Sequence, residues 1–296
     1  MRFATITVPM PYPLPVAGGL SERILTFVEV SGCVAEISPL PGLHQETHSE
    51  ALHDFATGTL RTPSAQFADS VIRAQIQKSP WTQLDPERSL PSLNSLILGE
   101  ADQAGVQDVV KVKIGREPGR DVTRLLSILE RSPNCRLRLD GNRLLALDEV
   151  MELVSSLPQN CIEYVEEPLA DPEELPKLAR VVPVALDESL HDPKASRHID
   201  EPGTWIHVIK PTRLGSVEDL NIEVQWAHSH QRDVVLTSCF ESPWTLGVLC
   251  RLAQVHGLTR AQGLGTSTLF VGWPSINVEC PLPDVDLPDL DWQPWI

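Results

Sequence analysis

The sequence predicts an α/β fold whose main part is a (β/α) barrel, preceded by a smaller α+β region. Short apolar runs that each end in a charged or small residue recur roughly every 21 to 28 residues between positions 113 and 263. Because this distance fits about one strand, one helix and their loops, the pattern predicts consecutive βα units. Residues 1–95 lack the repeat, and their strand-like runs precede their helix-like runs, which is typical of an α+β region.

The composition excludes several classes of protein. The chain has 296 residues, of which 42% are hydrophobic and 22% charged, and no apolar run approaches the roughly 18 residues of a membrane span. The amino-terminal run lacks the continuous apolar core of a signal peptide, so we expect a cytoplasmic protein. A net charge of −16 disfavours nucleic acid and anionic membranes as partners, and no obligate protein partner is evident. We therefore expect a small-molecule substrate.

Several familiar site motifs are incomplete in this chain. His44 and His48 stand four residues apart but lack the H-E-x-x-H order of a zinc site. The pair Gly263 and Gly265 lacks the third glycine of a dinucleotide-binding loop. The seven tryptophans are expected to pack in the core and the tail. Six cysteines include no C-x-x-C pair, so reduced thiols are expected at positions 33, 135, 161, 239, 250 and 280.

The elements of residues 1–95 are predicted from alternation and from turn residues. Strands are expected over 2–9 and 24–38, with a turn at Gly32 inside the second run. Residues 10–20 are rich in proline and glycine, which predicts a loop that could act as a lid. Helices are expected over 46–58 and 64–78.

The repeating region begins near position 96. Its marked strands end at positions 113, 140, 166, 187 and 210, and two more strands are expected over 234–238 and around 261–263. The tail from position 271 has no clear period and is expected to fold back on the first region. Helices between the strands are expected over 120–131, 147–157, 172–180 and 217–230.

Three carboxylates stand at the ends of successive predicted strands, at Asp140, Glu166 and Asp187. Because the carboxyl ends of barrel strands meet at one mouth, we expect these side chains to converge. Three hard oxygen ligands suit Mg²⁺, although acidic residues also cap strand and helix ends without binding metal. Alternation along the strands should turn Glu167 and Glu188 away from the same centre, into structural roles.

Lysines flank the carboxylates. Lys111 and Lys113 share one strand face, and Lys210 ends a strand on the other side of the set. Lysine inside a barrel is costly unless paired, so each could lean over the rim, or it could act as a general base beside a metal. Arg138 shares a face with Asp140, and it could hold a substrate carboxylate or form a salt bridge to Asp140.

A metal flanked by lysine bases suits removal of a proton from a carbon next to a carboxylate, because the resulting enediolate needs a divalent cation. Five motifs carrying these residues resemble the muconate lactonising subgroup of the enolase superfamily, and within it the o-succinylbenzoate synthase family. The run EISPLPG at 36–42, followed by QET at 45–47, is similar to the capping-domain loop of those synthases. The five motifs are KVK at 111–113, RLDGN at 138–142, EEP at 166–168, DES at 187–189 and KP at 210–211.

The resemblance implies a modified (β/α)7β TIM-type barrel over residues 96–270. It implies an α+β capping domain from residues 1–95, completed by 271–296. The metal ligands would be Asp140, Glu166 and Asp187, holding Mg²⁺, with Mn²⁺ able to replace it. The catalytic residues would be Lys113 as acid and base and Lys210 as the stabiliser of the enediolate, and the substrate-binding residues would be Lys111, Arg138, Ser238 and Gly263.

The implied reaction is dehydration of 2-succinyl-6-hydroxy-2,4-cyclohexadiene-1-carboxylate to 2-succinylbenzoate, in menaquinone or phylloquinone synthesis. Cys239 and Phe240 depart from the small or aliphatic residues expected beside Ser238, and the run from Gly263 is a loose match. Two alternatives stay open. The first is an N-acylamino acid racemase or dipeptide epimerase, in which both lysines exchange protons. The second is a barrel without catalysis that serves as a binding or scaffold protein.

Overall fold

The structure is a computed structural model that describes residues 1–14, 19–83, 91–97, 108–158, 160–192, 202–273 and 286–295. The chain divides into two compact units. One unit consists of residues 1–92, 209–226 and 236–296, and the other of residues 93–208 and 227–235. The predicted domain boundaries at 95 and 270 stay a prediction, as does the closing movement of the loop at 10–20, of which residues 15–18 lie outside the described part.

The amino-terminal sheet has four strands in the order β11-β1-β2-β3, and the pairs are antiparallel. Ser31 and Gly32 both have positive φ and form the turn between β2 and β3, so the predicted strands and turn are confirmed. The core side of β2 buries Leu25 and Phe27 completely. These strands are β1 (Arg2–Pro9), β2 (Glu22–Val30), β3 (Cys33–Ile37) and β11 (Gln293–Pro294).

The second sheet has seven strands in the order β10-β9-β8-β7-β6-β5-β4, and the pairs from β4 to β9 are parallel. Parallel strands joined by helices are usually covered on both faces and consist of apolar residues. Strand β9 fits this pattern, because every one of its residues is buried. The predicted α/β class with a βα repeat is confirmed. The strands are β4 (Ser95–Ile97), β5 (Val109–Lys113), β6 (Arg136–Asp140), β7 (Ile162–Glu166), β8 (Val184–Leu186), β9 (Trp205–Ile209) and β10 (Asp233–Leu236).

The predicted helices are observed within a few residues of their expected ranges, but the short helix Pro211–Leu214 and one long helix were not predicted. The helix Pro243–Val255 was not predicted, although Ser242 caps its amino end and Pro243 occupies its first turn. The strand expected around 261–263 is wrong, because there the chain forms an isolated bridge from Gly263 to Thr237. The helices are α1 (His48–Thr57), α2 (Pro63–Ile76), α3 (Pro118–Arg131), α4 (Leu147–Ser155), α5 (Leu175–Ala179), α6 (Pro211–Leu214), α7 (Val217–Ser229) and α8 (Pro243–Val255).

Part of the tail pairs with the first strand, since Gln293 lies opposite Phe3 in the β1–β11 ladder. Trp295 packs on Phe3 with ring centroids 4.9 Å apart, and Trp273 packs on Phe27 at 6.2 Å. These tryptophans stabilise the core and the tail, as predicted. Residues 274–285 of the tail lie outside the described part. Five cysteines in the described ranges are free thiols, and no helix described is long and apolar enough to cross a membrane.

Candidate active site

The register of three neighbouring strands aligns the predicted charged residues. Lys113 lies opposite Asp140 in the β5–β6 ladder, and Asp140 lies opposite Glu166 in the β6–β7 ladder. Directly paired residues of adjacent strands point to the same face of the sheet. Lys111, two residues before Lys113, shares that face. The strand ends therefore bring two lysines and two carboxylates together, as the spacing predicts.

Both lysines contact the buried carboxylates. Lys111 Nζ lies 2.8 Å from Asp140 Oδ2 and 2.7 Å from Glu166 Oε1. Lys113 Nζ donates to Asp140 Oδ2 at 2.7 Å and to Asn142 Oδ1 at 2.8 Å. The lysine side chains are 15% and 25% exposed, against 3% for each carboxylate. The lysines are thus paired with carboxylates that are more deeply buried than the lysines themselves.

The close charges shift the pKa of two groups at this centre. Burial alone would lower the pKa of Lys111, but the carboxylates of Asp140 and Glu166 outweigh it and raise that pKa above its ordinary value. Burial would raise the pKa of Asp140, but the two lysines hold it below its ordinary value. Each charge therefore stabilises the other, which is the usual condition for charged groups in a buried position.

Glu167 faces away from this centre, as alternation predicts. Its carboxylate accepts hydrogen bonds from the backbone N–H groups of Asp187 at 2.7 Å and Ser189 at 2.8 Å, and from Arg143 Nε at 2.8 Å. It thereby caps the short 3₁₀ turn that begins at Glu188 and fixes the start of the segment that carries Asp187. Burial raises the pKa of Glu188, and the charge of Glu167 adds to that shift.

Arg138 is 1% exposed, and its ion-pair partner is not Asp140, the salt-bridge partner that the sequence suggested. Its guanidinium donates to both oxygens of Glu163, from Nε at 3.0 Å and from Nη2 at 3.2 Å, and to Asn94 Oδ1 at 3.3 Å. It also lies 4.7 Å from the centroid of the Tyr164 ring. The salt bridge of Arg138 is therefore to Glu163, and contact between Arg138 and a substrate stays a prediction.

The other compact unit contains the predicted residues Lys210, Ser238 and Gly263. Lys210 directly follows β9, and its carbonyl accepts the first hydrogen bonds of α6, from Arg213 N and Leu214 N. Ser238 and Gly263 are neighbours, since Ser238 N donates to the carbonyl oxygen of Gly263 at 3.1 Å. Ser238 Oγ also bonds Thr266 Oγ1 at 2.9 Å.

Residues near Lys210 and Ser238 are joined by a buried carboxylate that sequence reasoning missed. Thr212, in α6, donates its hydroxyl to Glu241, and the second oxygen of Glu241 accepts from Cys239 N at 2.7 Å. Burial raises the pKa of Glu241 and raises that of the Cys239 thiol to about 12. This carboxylate links the turn after β9 to the turn after β10.

The donor atoms at the strand ends fit a divalent cation of the Mg²⁺ type. Asp140 and Glu166 already converge on one positive centre, because the Lys111 ammonium lies within 2.8 Å of an oxygen of each. Asp187 begins its segment directly after β8, the strand next to β7, and is 9% exposed. All three carry carboxylate oxygens, the kind of ligand that Mg²⁺ prefers. Within the described ranges, however, no group of three such side chains forms a ready-made metal cluster.

Sequence comparisons identify the family of this chain. Residues 98–272, more than half of the chain, match the model of the enolase C-terminal domain-like family. An o-succinylbenzoate synthase of Shigella boydii serotype 4 is 33% identical over 276 residues, covering 85% of both chains. The synthase of Aliivibrio fischeri is 29% identical and covers 95% of this chain and 96% of its own. The chain belongs to the o-succinylbenzoate synthase family of the enolase superfamily. It is a lyase of the o-succinylbenzoate synthase type.

Solved structures agree with the fold of this family. The o-succinylbenzoate synthase of Thermosynechococcus elongatus BP-1, with magnesium in its active site, has a TM-score of 0.66 and 24% identity, covering 89% of this chain and 92% of its own. A dipeptide epimerase of Enterococcus faecalis V583, with magnesium and a dipeptide, has a TM-score of 0.76 and 15% identity, covering 97% and 96%. This synthase and this epimerase therefore share the fold of the chain.

Besides Glu241, three polar residues of the site have no role predicted from the sequence. Asn142 contacts Lys113, Glu163 pairs with Arg138, and Arg143 holds Glu167. A role for Asn142 could have been predicted from the sequence, because Asn142 lies in the RLDGN run two residues after Asp140. No sequence pattern points to a role for Glu163 in the site, because alternation along the strand assigns it to the face opposite Glu166.

Proposed function

We propose that the protein dehydrates 2-succinyl-6-hydroxy-2,4-cyclohexadiene-1-carboxylate to 2-succinylbenzoate. The observation that carries this proposal is the position of Lys113, whose Nζ reaches Asp140 and Asn142 beside the Lys111–Glu166 pair. An amine held next to acidic metal ligands can remove a proton from a carbon that bears a carboxylate. The relatives' name, o-succinylbenzoate synthase, supports this product.

Lys113 acts first as a base and then as an acid. Its neutral amine takes the proton from the ring carbon that bears the carboxylate, and the electrons of that C–H bond move into an enediolate. The carbon–oxygen bond to the ring hydroxyl then breaks, and Lys113 Nζ gives the proton to the departing oxygen on the same face of the ring. Water leaves, the ring becomes aromatic, and Lys113 ends as the neutral amine.

Other residues orient the substrate and stabilise its charge. Lys210 stabilises the enediolate from the side opposite Lys113, and Lys111 orients the carboxylate. Ser238 and Gly263 contact the succinyl side of the substrate. Their mutual hydrogen bond supports this assignment, because one substrate group can then meet both.

Asp140, Glu166 and Asp187 hold Mg²⁺ in this proposal, with Mn²⁺ able to replace it. When bound, the ion supplies positive charge that offsets the second negative charge of the enediolate. The convergence of Asp140 and Glu166 on one ammonium supports the assignment, as does the magnesium in the structure of the Thermosynechococcus synthase. We assign the reaction to menaquinone or phylloquinone synthesis in the cytoplasm.

The test is the ultraviolet absorbance of the cyclohexadiene substrate after mixing with the purified chain and Mg²⁺. We expect rapid loss of the diene band that is abolished by chelator and by Lys113→Ala. The matched control is Lys177→Ala, which removes a lysine 66% exposed on α5 and should leave the rate unchanged. A folded chain that leaves the diene band constant in Mg²⁺ would contradict the proposal. Deuterium exchange into N-acylamino acids and dipeptides would then test the racemase and epimerase alternative, in which both Lys113 and Lys210 are required.

A further inference from the structure

The ladder between β6 and β7 contains a shift of register shortly before Asp140 and Glu166 along the two strands. Leu137 lies opposite Ile162, but the next residue, Arg138, lies opposite Tyr164. One residue of β7, Glu163, is therefore extra, which is the arrangement of a β-bulge. Beyond the shift the ladder is regular, and it ends with Asp140 opposite Glu166.

The shift decides which residue lies beside Asp140. If the pairing of Leu137 with Ile162 continued without it, Asp140 would lie opposite Val165. Glu166 would then point to the other face, because a slip of one residue exchanges the two faces of a strand. Alignment of the two carboxylates thus requires the extra residue at Glu163.

Arg138 and Glu163 form a buried ion pair at this bulge. Both oxygens of Glu163 accept from the guanidinium, and the side chains are 1% and 6% exposed. Asn94 in the loop before β4 and the ring of Tyr164 make further contacts with Arg138. A bidentate pair fixes direction as well as distance, and breaking one partner would leave a buried charge uncompensated. The pair is therefore suited to hold the bulged residue in one position.

We propose that Arg138 and Glu163 are positioning residues that align the metal-binding carboxylates Asp140 and Glu166 by holding the β-bulge between their strands. This inference rests on the proposed function, since it takes Asp140 and Glu166 as metal ligands. Arg138 acts through Glu163 on the strand register and is not required to touch the substrate. Loss of the pair should weaken metal binding, while saturating metal should restore much of the activity.

The test is a titration of the full chain with Mn²⁺, in which electron paramagnetic resonance measures the free ion. The double variant Arg138→Met/Glu163→Met removes both charges and keeps side chains of similar length. We expect its Kd for Mn²⁺ to rise by about 10- to 100-fold, the range found when residues behind metal ligands are changed. Its urea unfolding midpoint is measured to show that it folds. The control, Lys177→Met/Glu174→Met, removes an exposed ion pair of α5 and its preceding turn and should leave Kd unchanged.

The outcomes separate the inference from the function beneath it. A folded double variant that binds Mn²⁺ as tightly as the wild type overturns the positioning role. If the double variant does not fold, Glu163→Gln decides in the same way, because it keeps the size of the side chain and weakens the pair. A wild-type chain that binds no Mn²⁺ overturns the metal assignment itself, and the titration of the wild type alone reports that result.

Discussion

At the scale of single residues, the candidate site depends on a short turn after β6. Asn142 and Arg143 have φ values of +45° and +58°, in the left-handed region that asparagine tolerates better than most residues. The turn directs Asn142 Oδ1 to Lys113 and the guanidinium of Arg143 to Glu167. Two successive side chains therefore serve two different charged groups.

We predict that Asn142→Gly lowers kcat by roughly 10- to 100-fold with little change in KM, because Lys113 loses one of the two acceptors that hold its Nζ. Glycine adopts the positive φ freely, so the variant isolates the loss of the amide. Steady-state kinetics on the diene substrate measure the effect. The control is Asn160→Gly, an exposed asparagine with φ of +66° in another turn. Equal kcat for both variants would show that Asn142 does not position the base.

A second residue-scale prediction concerns His44, which is buried at 8% exposure. Its Nδ1 accepts a hydrogen bond from Leu40 N at 3.0 Å, and protonation would abolish that bond. Burial lowers the pKa of His44 to about 4, from an ordinary value of 6.5. The unfolded chain therefore binds the proton first as the pH falls, and the associated stability is full above pH 6.5 and lost toward pH 4.

We expect this titration to remove up to about 3 kcal/mol of the free energy of unfolding between pH 6.5 and 4. His44→Asn offers an acceptor to Leu40 N without titrating, so its stability should fall less over that range. Urea unfolding of both proteins across the pH range measures the difference. His53→Asn, at an exposed position of α1, is the control and should follow the wild type. Parallel curves for wild type and His44→Asn would rule out this role.

At the scale of elements, one carboxylate of the amino-terminal sheet determines how helix α8 begins. Glu36 in β3 accepts hydrogen bonds from the hydroxyls of Ser38 and Ser242, and from Thr245 Oγ1 at 2.6 Å. Ser242 N lies 3.2 Å from both of its oxygens. A negative charge at the amino end of a helix meets the unpaired N–H groups and the positive end of the helix dipole.

We predict that Glu36→Ala lowers the free energy of unfolding by roughly 3–5 kcal/mol, because several buried donors lose their acceptor. The urea midpoint of the unit that contains both elements measures the loss. The control is Glu29→Ala in the adjacent strand, whose partner Arg2 is exposed at the surface, so a much smaller change is expected. Similar losses in the two variants would mean that the cap on α8 contributes little.

At the scale of the whole molecule, ligand binding and stability are linked through the unit that carries Asp140, Glu166 and Asp187. A ligand that binds only the folded state stabilises it, by about 2.7 kcal/mol at 100 times its Kd. We therefore expect Mg²⁺ to raise the unfolding midpoint of this unit and chelator to reverse the change. Asp187→Asn should unfold at the same midpoint with and without Mg²⁺. A Mg²⁺-dependent rise of equal size in Asp187→Asn would exclude Asp187 as a ligand.

The sequence by itself determined the βα repeat and the face on which the charged residues lie. Both follow from local rules, because alternation assigns Lys111 and Lys113 to one face and the repeat brings strand ends to one edge. The hairpin of β2 and β3 could also be predicted from the sequence, because Gly32 marks its turn. Helix α8 is not among the predicted elements, although Ser242 and Pro243 mark its start.

Only the tertiary structure decided the partners of the buried charges. The bulge at Glu163 depends on how β6 and β7 pair, and alternation along β7 alone assigns Glu163 to the wrong face. The ion pair of Arg138 with Glu163 therefore does not follow from alternation. The same holds for Glu36, whose carboxylate oxygens accept hydrogen bonds from Ser242 and Thr245, more than 200 positions later in the chain. Pairing register and contacts between distant segments are set by packing, and a single sequence does not display them.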